Sequence, residues 1–439
     1  MENKIPKKIW VTIVFFGLIG QIAWQMENMQ FNVYVYNTIT ENTLVTALMV
    51  ACSAGVATLT TIFIGGICDK VGKKREFIAV GYIIWGFSTV LFGVANLKNF
   101  ETILKFSEPV LLVSIFVVLL DCLMTFFGST SNDVAFNAWL TENVNDSKRG
   151  VVEGVVSLLG PIAGLIVVGI GLVMLDEKQL DISKWEIYYL FMGVLISACG
   201  VLGLFLIPKD KKVPKVTNVS IWKNVSYGFL ISTIKENKVL YIALLGAIIE
   251  GIAFQTFYPY LIIYIQHSLN MENYFVPMVV IVLATSLMCF VFGFLGDKIG
   301  IIKLLIPGII ISFTGLIGLF FTKEIILLCI FGSFSIGGLM SVLTLFIAIF
   351  RNKIPLSREA GFQGVRIVSV VLIPMITGPF IGSLIAKTDK TYFELGTLKE
   401  VPSNYMFLAS ALITLLIIIP TYLIVREIKR EKESAKVEV

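Results

Sequence analysis

Runs of about 20 apolar residues, broken by short charged segments, set the rhythm of this 439-residue chain. At a rise of about 1.5 Å per residue, a run of that length crosses the hydrocarbon core of a bilayer as a helix. The pattern predicts twelve such helices, near residues 9–36, 44–66, 76–95, 109–136, 151–175, 187–207, 239–266, 273–295, 303–321, 324–350, 363–387 and 404–425. Backbone polar groups inside a bilayer must bond within their own segment, so helices are the form these runs take. An even number of crossings puts both termini on one side.

The breaks on that side are rich in Lys and Arg. They hold Lys4, Lys7 and Lys8; Lys70, Lys73, Lys74 and Arg75; Lys148 and Arg149; seven lysines in 208–238; Lys298 and Lys303; Arg351, Lys353, Arg358 and Arg366; and five residues from Arg426 onward. Together these are about 27 of the 35 basic residues, a bias that predicts cytoplasmic termini. The longest break, 208–238, opens with charge and proline. It continues with Ile221, Val225, Phe229 and Ile231 to Ile234 at roughly helical spacing. It reads as a linker with an amphipathic helix at the membrane surface. The expected organisation is 1–207 and 239–425 as six-helix units, joined by 208–238. A charged tail, 426–439, follows and is expected to be frayed.

Composition supports this reading. The chain is 56% hydrophobic and only 15% charged, with a mean hydropathy of +0.87, whereas soluble domains are about 45–50% apolar and a quarter charged. The net charge of +5 gives no reason to expect nucleic acid, since the basic residues follow the breaks between spans. Met1–Lys8 runs straight into the first span without a small-residue cleavage site, so no cleavable signal peptide is expected. The six cysteines lie in or beside apolar runs without CxxC spacing and read as small buried hydrophobes. His267, the single histidine, falls near the outer end of the seventh span, which excludes a histidine-based metal site or proton relay in the core. HExxH, GxSxG and GxxxxGK[ST] are absent, which argues against an enzyme and against ATP-driven work within this chain. No cofactor and no metal are expected.

Three echoes then divide the chain in two. IAWQ at 22–25 returns as IAFQ at 252–255. GGICDKVGKKRE at 65–76 returns as GFLGDKIGIIK at 293–303. GPIAG at 160–164 returns as GPFIG at 378–382. Each pair occupies the same place in its six-span half, as in transporters built from parallel repeats.

The first loop, with Gly65, Asp69, Lys70, Gly72, Lys74 and Arg75, fits G-x-x-x-D-[R/K]-x-G-x-[R/K]-[R/K] without a gap. Its second copy, with Gly293, Asp297, Lys298 and Gly300, ends at Lys303 in place of the basic pair. Here the chain resembles the major facilitator superfamily, over essentially its whole length. The resemblance implies an all-α membrane protein with twelve transmembrane helices in two pseudo-symmetric six-helix bundles around a central cavity. Those bundles would rock to open the cavity to alternate sides. It also implies that the loop residues form a conformational latch, joined by Glu142 and Arg149 of AWLTENVNDSKRG, 138–150, where the family has an acidic residue before Arg-Gly. Read on their own, Gly65 would allow close helix approach, and Gly72 a tight turn. Asp69, Lys70, Lys74 and Arg75 could make charged contacts that break and re-form. A plain positive-inside anchor and solvated loop charges remain the alternatives.

Two further likenesses stop short. GPxxG resembles part of a longer pattern in the family's drug/proton exporters, but the fuller glycine spacing is missing, and a proline kink with small-residue packing explains both copies. STSNDVAFNAWLTEN, 129–143, resembles the sugar/cation symporters, but lacks their proline, and span 2 has no carboxylate. That branch's cation site therefore does not carry over.

Carboxyls within the runs are the remaining candidates. An ionisable group at mid-bilayer costs about 2.5–3.5 kcal/mol on insertion scales, so it is a functional candidate by default. Asp121 and Glu250 fall near mid-span and Glu27 nearer the outer half of span 1, with no intramembrane Lys or Arg clearly available to pair with them. A carboxyl buried without a cation favours its neutral form and can carry a proton, which suggests proton coupling. A permanently protonated carboxyl bonded between helices is the alternative. Gln21, Gln25, Asn28 and Asn32 fall within about 60° on an ideal helix and suggest a cavity-lining face, flanked by Trp24. Phe254, Gln255 and Tyr258 stand at the repeat position. Amides beside aromatics suit a neutral polyhydroxylated ligand; amide packing between helices is the alternative. The expected protein is therefore a monomeric, multi-pass secondary transporter of a bacterial cytoplasmic membrane. It would move a small polar solute, such as a sugar or glycoside, with protons or another cation. A proton-driven exporter of drugs or amphipathic compounds is the second reading.

Overall fold

The computed structural model describes residues 5–105, 109–144, 148–176, 179–210, 227–271, 274–355, 359–386, 391–394 and 397–437. Among these, twelve helices are long and apolar enough to cross a membrane. Spans 1 to 6 are Lys7–Thr38, Thr43–Cys68, Lys74–Val94, Pro109–Asn143, Gly154–Met174 and Ile182–Leu206. Spans 7 to 12 are Lys238–Ser268, Phe275–Gly296, Ile301–Phe321, Ile325–Lys353, Phe362–Ile385 and Tyr405–Glu431. Every expected run is a helix. Polar caps set several starts: the Asn42 side chain accepts from Leu44 N at 3.0 Å, and Asp181 from Ser183 N at 2.9 Å.

The chain forms two compact units, 1–218 and 219–439. In the first, span 1 packs on spans 5 and 6, span 3 on spans 4 and 6, and span 2 on span 4. In the second, span 7 packs on spans 11 and 12, span 9 on spans 10 and 12, and span 8 on span 10. The neighbour pattern is thus repeated, as the sequence echoes predict. One packing differs: span 7 lies extensively against span 10, whereas span 1 touches span 4 sparsely.

The cores differ in substance. The first unit is aromatic, with Phe31 stacked on Phe92 at 3.9 Å, Tyr189 edge-on to both, Tyr34 tilted on Phe92, and Trp185 edge-on to Tyr34. Tyr34 donates to the carbonyls of Gly93 and Ala95, which keeps its buried hydroxyl satisfied. The second unit is mainly aliphatic, around Leu240, Leu244, Leu305, Ile309, Val342 and Phe346. Helix contacts are close where side chains vanish. A methyl on Gly193 of span 6 would stand 2.5 Å from the Gly86 carbonyl oxygen of span 3.

Hydropathy gave no sign of the irregular turns. π-Helical turns interrupt span 1 at Glu27–Phe31, span 4 at Ser129–Phe136, span 7 at Tyr264–Ser268 and span 11 at Val368–Leu372. Pro259 sits in a 3-10 turn, Tyr258–Tyr260, that breaks span 7. A two-stranded hairpin, Thr391–Glu394 with Thr397–Glu400, lies between spans 11 and 12.

Of the expected surface helix in the linker, residues 211–226 lie outside the described residues, while Ile231–Glu236 is helical. Tyr227 packs edge-on to Phe362, and Tyr241 donates to the Gly228 carbonyl, so the linker's end belongs to the second unit. The expectation of a frayed tail is corrected: helix continues to Val437. Its alternating charges pair along the helix, as in Arg430 with Glu427 at 3.0 Å, and Glu431 reaches Lys353 of span 10 at 2.6 Å.

Candidate functional site

The π-helical turn in span 1 begins at Glu27 and helps place its carboxyl between spans 2 and 4. Glu27 is 7% exposed. Its Oε1 accepts from Thr125 Oγ1 at 2.8 Å and from Ser53 Oγ at 3.2 Å, and those two hydroxyl oxygens are 2.6 Å apart. The three oxygens form a closed triangle. The two hydroxyl hydrogens can both serve Oε1, or one can bridge Ser53 and Thr125 while the other serves Oε1. Asp121, 2% exposed, lies one helical turn before Thr125 and therefore on the same face of span 4. It is within electrostatic reach of Glu27 and hydrogen-bonding reach of Ser53. Glu27 Oε2 and Asp121 Oδ1 are buried without a hydrogen-bond partner among the described residues. Neither carboxyl is paired with a cationic side chain of the described residues.

Glu250, the third intramembrane carboxyl, is fully buried in span 7, with both oxygens unpartnered among the described residues. The next residue, Gly251, packs against Pro374 of span 11. The Cys289 thiol, itself 3.8 Å from Ser341 Oγ, is within its electrostatic reach.

The amide stripe of span 1 is only partly continuous. Gln21, Trp24 and Gln25 are half-buried and Asn28 is exposed, on one face as expected. Asn32 is not on it: the wider π turn at 27–31 rotates the helix, and Asn32 is buried, with Nδ2 3.3 Å from the Asn28 carbonyl. Asn28 likewise donates to the Trp24 carbonyl at 2.8 Å. Trp24 leans on Trp85 with ring centroids 5.1 Å apart. In span 7, Phe254 stacks on Tyr258 at 4.4 Å. Gln255 has a packing role, because a methyl on Gly378 of GPFIG would stand 2.5 Å from its Cβ. Gln21 stands in the same relation to GPIAG, its Oε1 3.4 Å from where a Gly160 Cβ would be. Each proline-glycine motif thus seats the glutamine-bearing helix beside it.

The first loop motif builds a charged cluster. Gly72 ends span 2 in a left-handed conformation, φ 68°, with its N–H on the Cys68 carbonyl at 2.9 Å. Its counterpart Gly300 has φ 100°. Lys74, almost fully buried, pairs with Glu142 at the end of span 4. The Arg75 N–H donates to Asp210 Oδ2, beyond span 6, at 3.2 Å. Burial lifts the Asp210 carboxyl above its ordinary range, and that N–H draws it partly back. Close approach at Gly65 is not found: a Cβ there would meet open space, as at Gly293. Lys70 and Lys298 are exposed; Lys298 lies 4.2 Å over the Phe294 ring. The side chains of Asp69, Arg149 and Asp297 lie outside the described residues.

Sequence reasoning missed Ser53, Thr125 and Asp210. Thr125 was legible as the residue four beyond Asp121; Ser53 and Asp210 carry no spacing signal.

Comparison with known proteins then adds a family. A model for the Major Facilitator Superfamily matches residues 13–358. No curated protein matches the sequence. Among solved structures, a bacterial homolog of the human lysosomal transporter Spinster is 12% identical, covering 97% of this chain and 98% of its own, with a TM-score of 0.73. A mutant of the nucleoside transporter NupG is 12% identical, covering 95% and 100%, at 0.72. The xylose transporter XylE from E. coli is 11% identical, covering 94% and 98%, at 0.67. At these identities the likeness is one of fold.

Proposed function

For a chain that belongs to the major facilitator superfamily, and is therefore a multi-pass membrane transporter and not an enzyme, we propose proton-coupled uptake of a small polar solute. The observation that carries this is the oxygen triangle of Glu27, Ser53 and Thr125. It holds a carboxyl buried without a cationic partner among the described residues, within electrostatic reach of a second buried carboxyl, Asp121. Two carboxyls buried together without a cation do not both ionise at low cost. They share protons, and opening the site to water on one side or the other lets protons enter or leave. In this proposal Glu250 carries no coupling proton, since no described residue hydrogen-bonds its carboxyl oxygens.

The solute class rests on Gln21, Trp24, Gln25 and Asn28 in span 1 of the first unit, amides beside an aromatic ring. Amides bind hydroxyls at the edge of a ring, and aromatics cover its face. Two structural neighbours are a nucleoside and a xylose transporter, which fits a polyhydroxylated solute. The Lys74–Glu142 pair with the Arg75–Asp210 contact serves as the latch of the first unit. The Lys/Arg bias supports cytoplasmic termini in a bacterial inner membrane.

The test is uptake by proteoliposomes of labelled xylose, glucose, uridine and an amphipathic cation, with and without an inward proton gradient. Gradient-stimulated uptake of a polar solute supports the proposal. Movement of the amphipathic cation against the proton gradient, with no sugar or nucleoside uptake, overturns it in favour of an exporter.

A further inference from the structure

Most exposed apolar side chains belong to the spans, where lipid tails cover them. One group lies outside. Phe229, Leu230, Ile231 and Ile234 precede span 7, which begins at Lys238, and they are 39–71% exposed. The fold holds them outward. Tyr227 packs edge-on to Phe362 at the start of span 11, and Tyr241 of span 7 donates to the carbonyl of the buried Gly228. Leu230 N then bonds to the Tyr227 carbonyl at 3.3 Å. In the helix Ile231–Glu236, Thr233 is 2% exposed and takes the inward side, while Ile231 and Ile234, three residues apart, share the outward one. The Thr233 carbonyl accepts from Asn237 N at 3.1 Å and from Asn237 Nδ2 at 2.9 Å. At Asn237 the backbone leaves helical geometry, φ −118° and ψ 46°, so this short helix is not the first turn of span 7.

We propose that this elbow is a binding site for anionic phospholipid. Phe229, Leu230, Ile231 and Ile234 enter the acyl boundary of the leaflet that meets the start of span 7, and Lys235 and Lys238 hold headgroup phosphates. Depth and charge both select this occupant. Ile234 stands four residues before Lys238, about 6 Å at helical rise, which is the depth of the headgroup layer beside the hydrocarbon. Apolar side chains at that level are covered by the upper part of the acyl chains. Lys235 and Lys238 are both exposed, and lysines just outside the hydrocarbon attract anionic headgroups. Glu236, also exposed, opposes them and lowers the affinity.

The two tyrosines pass this contact into the second unit. Tyr227 ties the elbow to the first residue of span 11, and Tyr241 ties it to the first turn of span 7. A lipid seated on the elbow therefore fixes the depth of both helix ends. The site is independent of the carboxyl pair in the first unit, so its failure leaves proton coupling untouched.

The test uses the purified full-length protein in lipid vesicles. Ile231→Trp puts a reporter on the elbow, and its fluorescence is taken as the difference from wild type. The quenchers are acrylamide in the water, and phosphatidylcholine or phosphatidylglycerol brominated either near the headgroup end or near the tip of the acyl chain. Bromines near the headgroup end are expected to quench most and acrylamide least. Phosphatidylglycerol should quench at a lower mole fraction than phosphatidylcholine. Lys235→Gln and Lys238→Gln should each weaken that preference about fivefold, and Glu236→Gln should strengthen it. Quenching by acrylamide without quenching by lipid overturns the inference, because the elbow then stands in water. Shielding from both overturns it as well, because protein then covers the face. Lipid quenching that is equal for the two headgroups and unmoved by the lysine variants overturns the assignment of an anionic lipid.

Discussion

Span 1 and span 7 begin from nearly the same four residues, and their surroundings show how one plan was turned to two uses. In the IAWQ/IAFQ register, Phe257 occupies the place of Glu27, and Gly20 the place of Glu250. Glu27 accepts from two hydroxyls and lies within electrostatic reach of a second carboxyl. Phe257 meets the rings of Phe254 and Phe407, at 5.8 and 5.6 Å. At Gly20 a Cβ would collide with Asn132 and the Tyr82 hydroxyl, so no side chain fits where the other half carries a glutamate. Helix neighbours are repeated between the units; polar groups are not. The difference teaches that the two units share helix packing, while among the three intramembrane carboxyls only Glu27 accepts side-chain hydrogen bonds from other described spans. Glu250 is equally buried, but its unpartnered oxygens are a cost without an evident ligand.

The comparison breaks most visibly in transport. Glu27→Gln or Asp121→Asn should lower gradient-driven uptake roughly 100-fold, about 2.7 kcal/mol, while Glu250→Gln stays within about twofold, measured as initial rates in proteoliposomes. Equal losses in all three would erase the contrast between the units. Next in size is the charged cluster. Lys74→Ala leaves Glu142 without its partner and should cost on the order of 3 kcal/mol, read as a lowered melting temperature that the Lys74→Glu/Glu142→Lys exchange partly restores. Gly20→Ala should destabilise by about 1–3 kcal/mol through overpacking. The smallest effect separates two glycines of one loop. Gly72→Ala, at φ 68°, should cost about 1 kcal/mol, whereas Gly65→Ala, which meets open space, should be neutral or stabilise by up to about 1 kcal/mol. Comparative melting of the two variants checks this.

Much of the fold was legible because its cause is local. Apolar runs fix the twelve spans, and the three echoes fix the repeat. The loop motif fixes the left-handed turns at Gly72 and Gly300. The site was legible only in part. Glu27 and Asp121 stood out as carboxyls in apolar runs. That they meet each other depends on a π turn and on the packing of spans 1, 2 and 4, which no periodicity records. The amide stripe shows the reverse error. It assumed 100° per residue through 27–31, where the helix is wider, and so included Asn32 and overlooked the fully buried Gln30. Gly65, read as a packing glycine, has no described atom within 4 Å of where its Cβ would be.

The central claim is that coupling resides in the first unit's carboxyl pair. Its most direct test is proton-gradient-driven accumulation of whichever labelled solute of the panel wild type takes up, with gradient-independent counterflow measured in the same vesicles. The account predicts that Glu27→Gln loses accumulation but keeps counterflow, and that Glu250→Gln keeps both. Accumulation that survives Glu27→Gln, or that is lost in Glu250→Gln alone, would contradict it.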